Sequence, residues 1–140
     1  MPIKPENKSR YPENWKEISA RIRFGRAKNR CEVCGLKNYS IIKRLPNGSF
    51  SFPCQTDWDM IHSRIRNCQS NMSESLKYHG FTKVILTVAH LDHQPENCED
   101  ENLKAMCQKC HNNYDKNHRK QTIHESNTVD QIEISFTEIK

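Results

Sequence analysis

Cys107-Gln108-Lys109-Cys110-His111 runs a Cys-x-x-Cys pair straight into a histidine, and Cys31-Glu32-Val33-Cys34 repeats the cysteine spacing upstream. Each Cys-x-x-Cys turn places two sulfurs on one side. Two such turns complete the tetrahedron of soft ligands that Zn²⁺ takes, with Zn–S bonds of about 2.3 Å. The 72 intervening residues (35–106) exceed the spacing of small zinc fingers. The competing interpretation of the same thiols is two unrelated pairs, or a redox Cys-x-x-Cys. Cys54, Cys68 and Cys98 lack partners at ligand spacing and are expected as buried or free thiols. His111 and Asp115 stand four residues apart, on one face of any helix that carries them, and can ligate a second cation.

The elements that must hold these residues can be read from apolar spacing. Residues 1–12 look extended, with Pro2, Pro5 and Pro12. A helix is expected after Pro12, its stripe formed by Trp15, Ile18 and Ile22, ending or weakening near Gly25. Gly35 allows the tight turn after the first cysteine pair. Residues 39–53 read as a hairpin turning at Pro46-Asn47-Gly48. Thr56 is expected to cap a short helix with Trp58, Ile61 and Ile65 on one stripe, and 67–80 to be loop. The 35–80 stretch is thus an insertion between the cysteine pairs that decorates the site. Val84 to His90 is the strongest strand signal, rich in β-branched residues. An acidic loop follows, then a return from Asn102 to Met106 and a helix from about Gln108 to about His118. Residues 119–130 read as a polar linker. Ile132, Ile134 and Phe136 alternate with polar residues, as in a final strand or tail.

With 34% hydrophobic and 28% charged residues, the 140-residue chain buries a thin core, which a metal clamp would supplement. One domain over 1–118 and a linker with tail over 119–140 are expected. No apolar run approaches a membrane span and the first ten residues carry no signal-peptide core. No membrane partner and a cytoplasmic location are therefore expected. Residues 1–34 hold nine Lys/Arg against four Glu (9 − 4 = +5), whereas 84–115 hold two lysines against six acids (2 − 6 = −4). A basic face beside an acidic pocket suits a polyanion held near a cation, and a solvated helix beside an acidic loop accounts for the charges equally well.

The stretch from Leu86-Thr-Val-Ala-His-Leu-Asp-His through Asn102-Leu103 to Cys107-Gln-Lys-Cys-His111 resembles the HNH nuclease family over residues 84–118, and its zinc-bound subtype once Cys31 and Cys34 are included. The resemblance implies an α+β chain built on a ββα-metal motif, with a four-cysteine zinc clamp, an N-terminal helix and an inserted hairpin plus helix. It implies phosphodiester hydrolysis, most often of DNA. His90 matches the general base, a group that titrates near neutrality and can take a water's proton. Asn102 matches the residue that braces the loop, and His111 a ligand of a catalytic Mg²⁺ or other divalent cation. Asp115 would be a second helix ligand. Family members carry Asp or His immediately before the base. Ala89 stands there in this chain, and Asp92 is the replacement ligand if the strand stays extended. A second register takes Asp92-His93 as the Asp-His pair, nine residues before Asn102.

Lys16, Arg21, Arg23, Arg26, Lys28 and Arg30 are the residues expected to hold a nucleic-acid backbone, without reading its sequence. Three functions compete. One is a metal-dependent endonuclease. Another, favoured by Ala89, is a zinc-stabilised nucleic-acid-binding module that has lost cleavage. The third, resting on the cysteines alone, is a redox or zinc sensor. One ββα site cuts one strand, so a double-strand break would require a homodimer or two visits. The alternating C-terminal segment could pair across such a dimer or add an edge strand to its own domain.

Overall fold

The computed structural model describes residues 3 and 5–137, with side chains through His124. Pro5–Arg10 forms a 3-10 helix rather than the expected extended arm. Helix α1 (Trp15–Ala20) runs directly into a wider π-helical segment, Arg21–Arg26. Gly25 does not end the helix. The Ala27 amide reaches back five residues to the Ile22 carbonyl at 2.9 Å, and left-handed Lys28 and Asn29 then terminate it (φ 48° and 61°). The stripe read from the sequence packs as expected: Ile22 is buried against Leu103 and Ala105, with Trp15 and Ile18 beside it.

Two antiparallel strands form the centre. β4 (Leu86–His90) pairs β5 (Leu103–Cys107) in the register Val88↔Ala105 and His90↔Leu103. The pair is covered on both sides. Val88, Leu103 and Ala105 pack under the N-terminal helix, while Ala89, Met106 and Cys107 pack with Cys31, Leu36, Ile42 and Val84. Burial on both sides explains the nearly unbroken apolar run of β4. Helix α4 (Gln108–Thr137) leaves β5 without a linking loop. It continues through the residues expected as a linker and a final strand. Polar composition is compatible with a helix that packs only along its first turns, so it was a poor guide to a linker. Residues 138–140 of the expected tail lie outside the described residues.

The 35–80 stretch builds a second layer. β1 (Ile41–Arg44) lies between β2 (Phe50–Ser51) and β3 (Phe81–Lys83), all antiparallel. The hairpin turn is the expected one: Gly48 sits at φ 85° and Asn47 Oδ1 accepts from the Ser49 amide. Helix α2 (Gln55–Cys68) starts two residues earlier than expected, because Cys54 rather than Thr56 is the N-cap and Asp57 reaches back to its amide at 2.9 Å. Residues expected as loop contain a further helix, α3 (Met72–Tyr78), capped reciprocally by Asn71 and Glu74. That Asn-x-x-Glu pattern is a capping-box signal present in the sequence. Ile61, Leu76 and Phe81 give the layer its own small core, with Ile41, Trp58 and Ile65 around it. No described helix is long and apolar enough to cross a membrane.

Candidate metal centre and adjoining cavity

The two cysteine turns meet where β5 becomes α4. The first is shaped by Gly35 at φ 74°, with the Gly35 amide bonded to the Cys31 carbonyl and the Cys31 amide to the Leu36 carbonyl, each at 2.9 Å. Glu32 docks this turn on β5: its amide donates to the Ala105 carbonyl (2.9 Å) and its carboxylate accepts from the Ala105 amide (2.7 Å). The ligand atoms of Cys31, Cys34, Cys107 and Cys110 all lie within 4.8 Å of one another. Cys34 Sγ and Cys107 Sγ are 3.7 Å apart. A tetrahedron with 2.3 Å bonds has edges of about 3.8 Å, so the spacing fits zinc.

The local electrostatics fit a cation as well. Burial pushes the Cys31 thiol up, but amide donors from Cys34, Cys107 and Val33 outweigh it and bring it down to about 7. Burial, then hydrogen bonding with Cys107 and Cys34, pushes Cys110 far up. Burial likewise raises Cys34. Sulfurs crowded in this way ionise together only with a positive ion among them. Cys54 and Cys68 are exposed and distant from this cluster, whereas Cys98 lies 3.7 Å from His90 Nε2.

The first turns of α4 carry the clamp into a cavity of about 710 Å³, lined among others by Tyr11, Val88, His90, His93, His111 and Asp115. Its opposite wall is the N-terminal segment, and no residue of 35–80 lines it. The insertion therefore stands apart from this site. His90, the last residue of β4, is 9% exposed. Its ring stacks on Trp15 with centroids 5.0 Å apart and meets Tyr11 edge-on. Burial holds its pKa below the usual histidine range, against the pull of Asp92 and Glu96. The imidazole is therefore neutral at pH 7.

His111 Nε2 lies 3.2 Å from Asp115 Oδ2, and His93 Nδ1 lies 3.5 Å from Asp115 Oδ1. His111 Nδ1 is 2.8 Å from Thr87 Oγ1, whose own proton has the Met106 carbonyl as its acceptor at 3.4 Å. Thr87 and Asp115 thus hold the two ring nitrogens of His111 from opposite sides, and the tautomer decides which of them receives its proton.

Asp92 does not join this group. Its Oδ1 accepts from the Gln94 amide (2.8 Å) and Asn102 Nδ2 (2.9 Å), and its Oδ2 from Asn97 Nδ2 (2.7 Å). Those donors, the Gln94 amide foremost, bring its pKa down to about 2. Asp92 is a bracket for the loop rather than the ligand expected opposite α4. The strand ends at His90, so the extended geometry that would have aligned residues 90 and 92 is not present. Asn102 ties the same loop through Asp92, the Asn97 carbonyl (2.8 Å) and the Asp92 amide (3.1 Å). Ala89 is 1% exposed and belongs to the core around Cys31, away from the cavity.

The basic residues divide. Arg21 spans both oxygens of Asp100 (2.7 and 2.6 Å), and Arg26 holds Glu32 together with the carbonyls of Asp100 and Leu103. Arg30 donates to the Gly35 carbonyl and Arg23 to the Ser19 carbonyl. Arg21 and Arg26 are thus fold contacts rather than free phosphate contacts, because the acidic loop lies against the basic helix and pairs with it. Lys16 and Lys28 are exposed, and Arg23 lines a neighbouring cavity of about 470 Å³ that shares Tyr11, Val88, His111 and Asp115 with the first. No protein-family model matches the chain. No curated protein matches it, and no solved structure does.

Proposed function

We propose that the chain is a metal-dependent endonuclease of the HNH type, cutting phosphodiester bonds in DNA. The observation that carries this reading is a neutral, buried His90 lining one cavity with His111 and Asp115, on two strands and a helix joined at a four-cysteine cluster. His90 accepts the proton of an attacking water, and its lowered pKa keeps it competent below neutral pH. Trp15 and Tyr11 fix its ring. Asn102 and Asp92 hold the loop that follows it. His111 and Asp115 would hold the divalent cation, which when bound supplies charge neutralisation at the phosphate. Arg23, in the neighbouring cavity that shares His111 and Asp115, would hold a backbone phosphate. The four cysteines would hold a structural zinc.

One observation favours a second reading, a nucleic-acid-binding module without cleavage. His90 is stacked among aromatic rings with Cys98 at its Nε2, which limits a water's approach. Supercoiled-plasmid nicking with Mg²⁺, Mn²⁺ or Ni²⁺, run beside a DNA-binding titration in salt, separates the two. Nicking supports the nuclease. Salt-dependent binding without nicking in any metal supports the module.

A further inference from the structure

We propose that the insertion and α4 together form a separate surface for a single nucleic-acid strand, with Arg44 and Lys109 on backbone phosphate and Phe50 and Phe52 under the bases. The proposal rests on the reading above for the class of polymer alone, and places it on a surface that the nuclease reading does not use.

Arg44 and Thr82 of the three-stranded sheet line, with Lys109, Asn112 and Asn113 of α4, a cavity of about 410 Å³. It shares no lining residue with the cavity at His90, because His111 and Asp115 leave α4 on another face. No carboxylate lines it. Among the described residues, neither Arg44 nor Lys109 is in an ion pair. The polar contact of Arg44 is with Cys107 Sγ at 4.0 Å, which leaves most of its guanidinium fork for an anion. Arg21 and Arg26 differ in this respect, since carboxylates already hold them.

The strand register brings aromatic rings to the same place. Arg44 stands directly opposite Phe50 in the β1–β2 pairing, and Ile42 opposite Thr82 in the β1–β3 pairing. Paired residues, and residues two apart on one strand, share a face of the sheet. Phe50 therefore borders the cavity on the side of Arg44 and Thr82. Phe52 extends this border, its ring meeting Phe50 edge-on with centroids 5.7 Å apart. The two rings are 39% and 61% exposed. Lys43 and Lys83 lie on the other face, over the rings of Phe81 and Tyr39, and do not contribute.

Unpaired cations beside open aromatic faces are what single-strand binders combine: the cations follow the phosphates and the rings stack on bases. A duplex hides its base faces and would leave the phenylalanines idle. An acidic peptide would use the two cations, but neither the ring faces nor the donor and acceptor pairs of the Asn112 and Asn113 amides, which match base edges.

The test is fluorescence anisotropy of a labelled oligothymidylate of about twelve nucleotides with the zinc-loaded full chain and no other metal. Expected is binding for which a duplex of the same length competes more weakly and a polyglutamate peptide not at all. Phe52→Ala should weaken it about fivefold to a hundredfold. Lys109→Ala should lower its salt slope by about 0.7, the share of one phosphate on a single strand. Both side chains are exposed, so zinc content and circular dichroism should not change. Arg44 stays in place because it also faces Cys107. Binding that is absent, or unmoved by Phe52→Ala or by Lys109→Ala, would overturn the proposal. Equal competition by the duplex or by polyglutamate would overturn it too, and would assign the surface to that competitor. Oligothymidylate binding through Phe52 in a protein that nicks no plasmid in any metal would leave this surface standing and remove the nuclease reading. Nicking by a protein that does not bind the oligothymidylate would do the reverse.

Discussion

Replacing Cys107 by serine removes one sulfur from the cluster at its most buried point. Cys107 is 0% exposed, its amide donates to Cys31 Sγ at 3.3 Å, and its Sγ lies 3.7 Å from Cys34 Sγ. Structural zinc sites contribute about 10–16 kcal/mol of apparent folding free energy at pH 7, so a quarter of the ligand set is worth about 2.5–4 kcal/mol. A buried hydroxyl left without its metal adds about 1–3 kcal/mol. The sum, about 3.5–7 kcal/mol, is comparable with the whole stability of a domain, about 5–15 kcal/mol. Cys107→Ser should therefore lose its zinc and unfold at a far lower denaturant midpoint than wild type, whereas exposed Cys68→Ser should stay within about 0.5 kcal/mol. Metal analysis by mass spectrometry and urea unfolding by circular dichroism measure both. A Cys107→Ser protein with one zinc per chain and an unchanged midpoint would refute the reasoning, as would a chelated wild type that unfolds where the zinc-loaded protein does.

Ile22→Ala, at a side chain 1% exposed between α1 and the central strands, should cost about 2–5 kcal/mol in urea unfolding. His90 and His93 both have folded pKa values lowered by burial, so they favour the folded state fully above the unfolded value of about 6.5 and lose that contribution as pH falls through the folded values. Stability should therefore decline from pH 7.5 toward 5, and His90→Gln should flatten that decline while zinc content stays matched. In DNA-binding titrations, Lys16→Ala and Lys28→Ala should each reduce the salt slope by about 1, whereas Arg21→Ala, whose guanidinium is taken by Asp100, should leave it unchanged.

What the sequence made legible was what period and spacing encode locally. The Trp15–Ile18–Ile22 stripe, the β-branched run of β4, the hairpin at Pro46-Asn47-Gly48 and the two cysteine turns all reappear in the structure. Helix α3 went unread because Asn71 and Glu74 sit in a polar stretch with few apolar residues, although their capping box was there to see. The C-terminal alternation misled because a polar helix and an edge strand can share a short period-two pattern. The loop-bracing contacts of Asp92 are hidden from the sequence for a different reason. Its role depends on where β4 stops and on three donors brought back by the loop, and neither is a property of local spacing. The same turn, with His93 left-handed, brings the His93 ring to within 3.5 Å of Asp115 on α4, a contact that residue spacing does not show.

The most direct test is nicking of supercoiled plasmid by wild type and His90→Ala at pH 7.5, with each of Mg²⁺, Mn²⁺ and Ni²⁺ and with zinc content matched. A general base in this position is worth about 10²–10⁴-fold in rate. Nicking by wild type that falls by that factor in His90→Ala, with DNA binding retained, is the expected result. Equal nicking by the two proteins would contradict it.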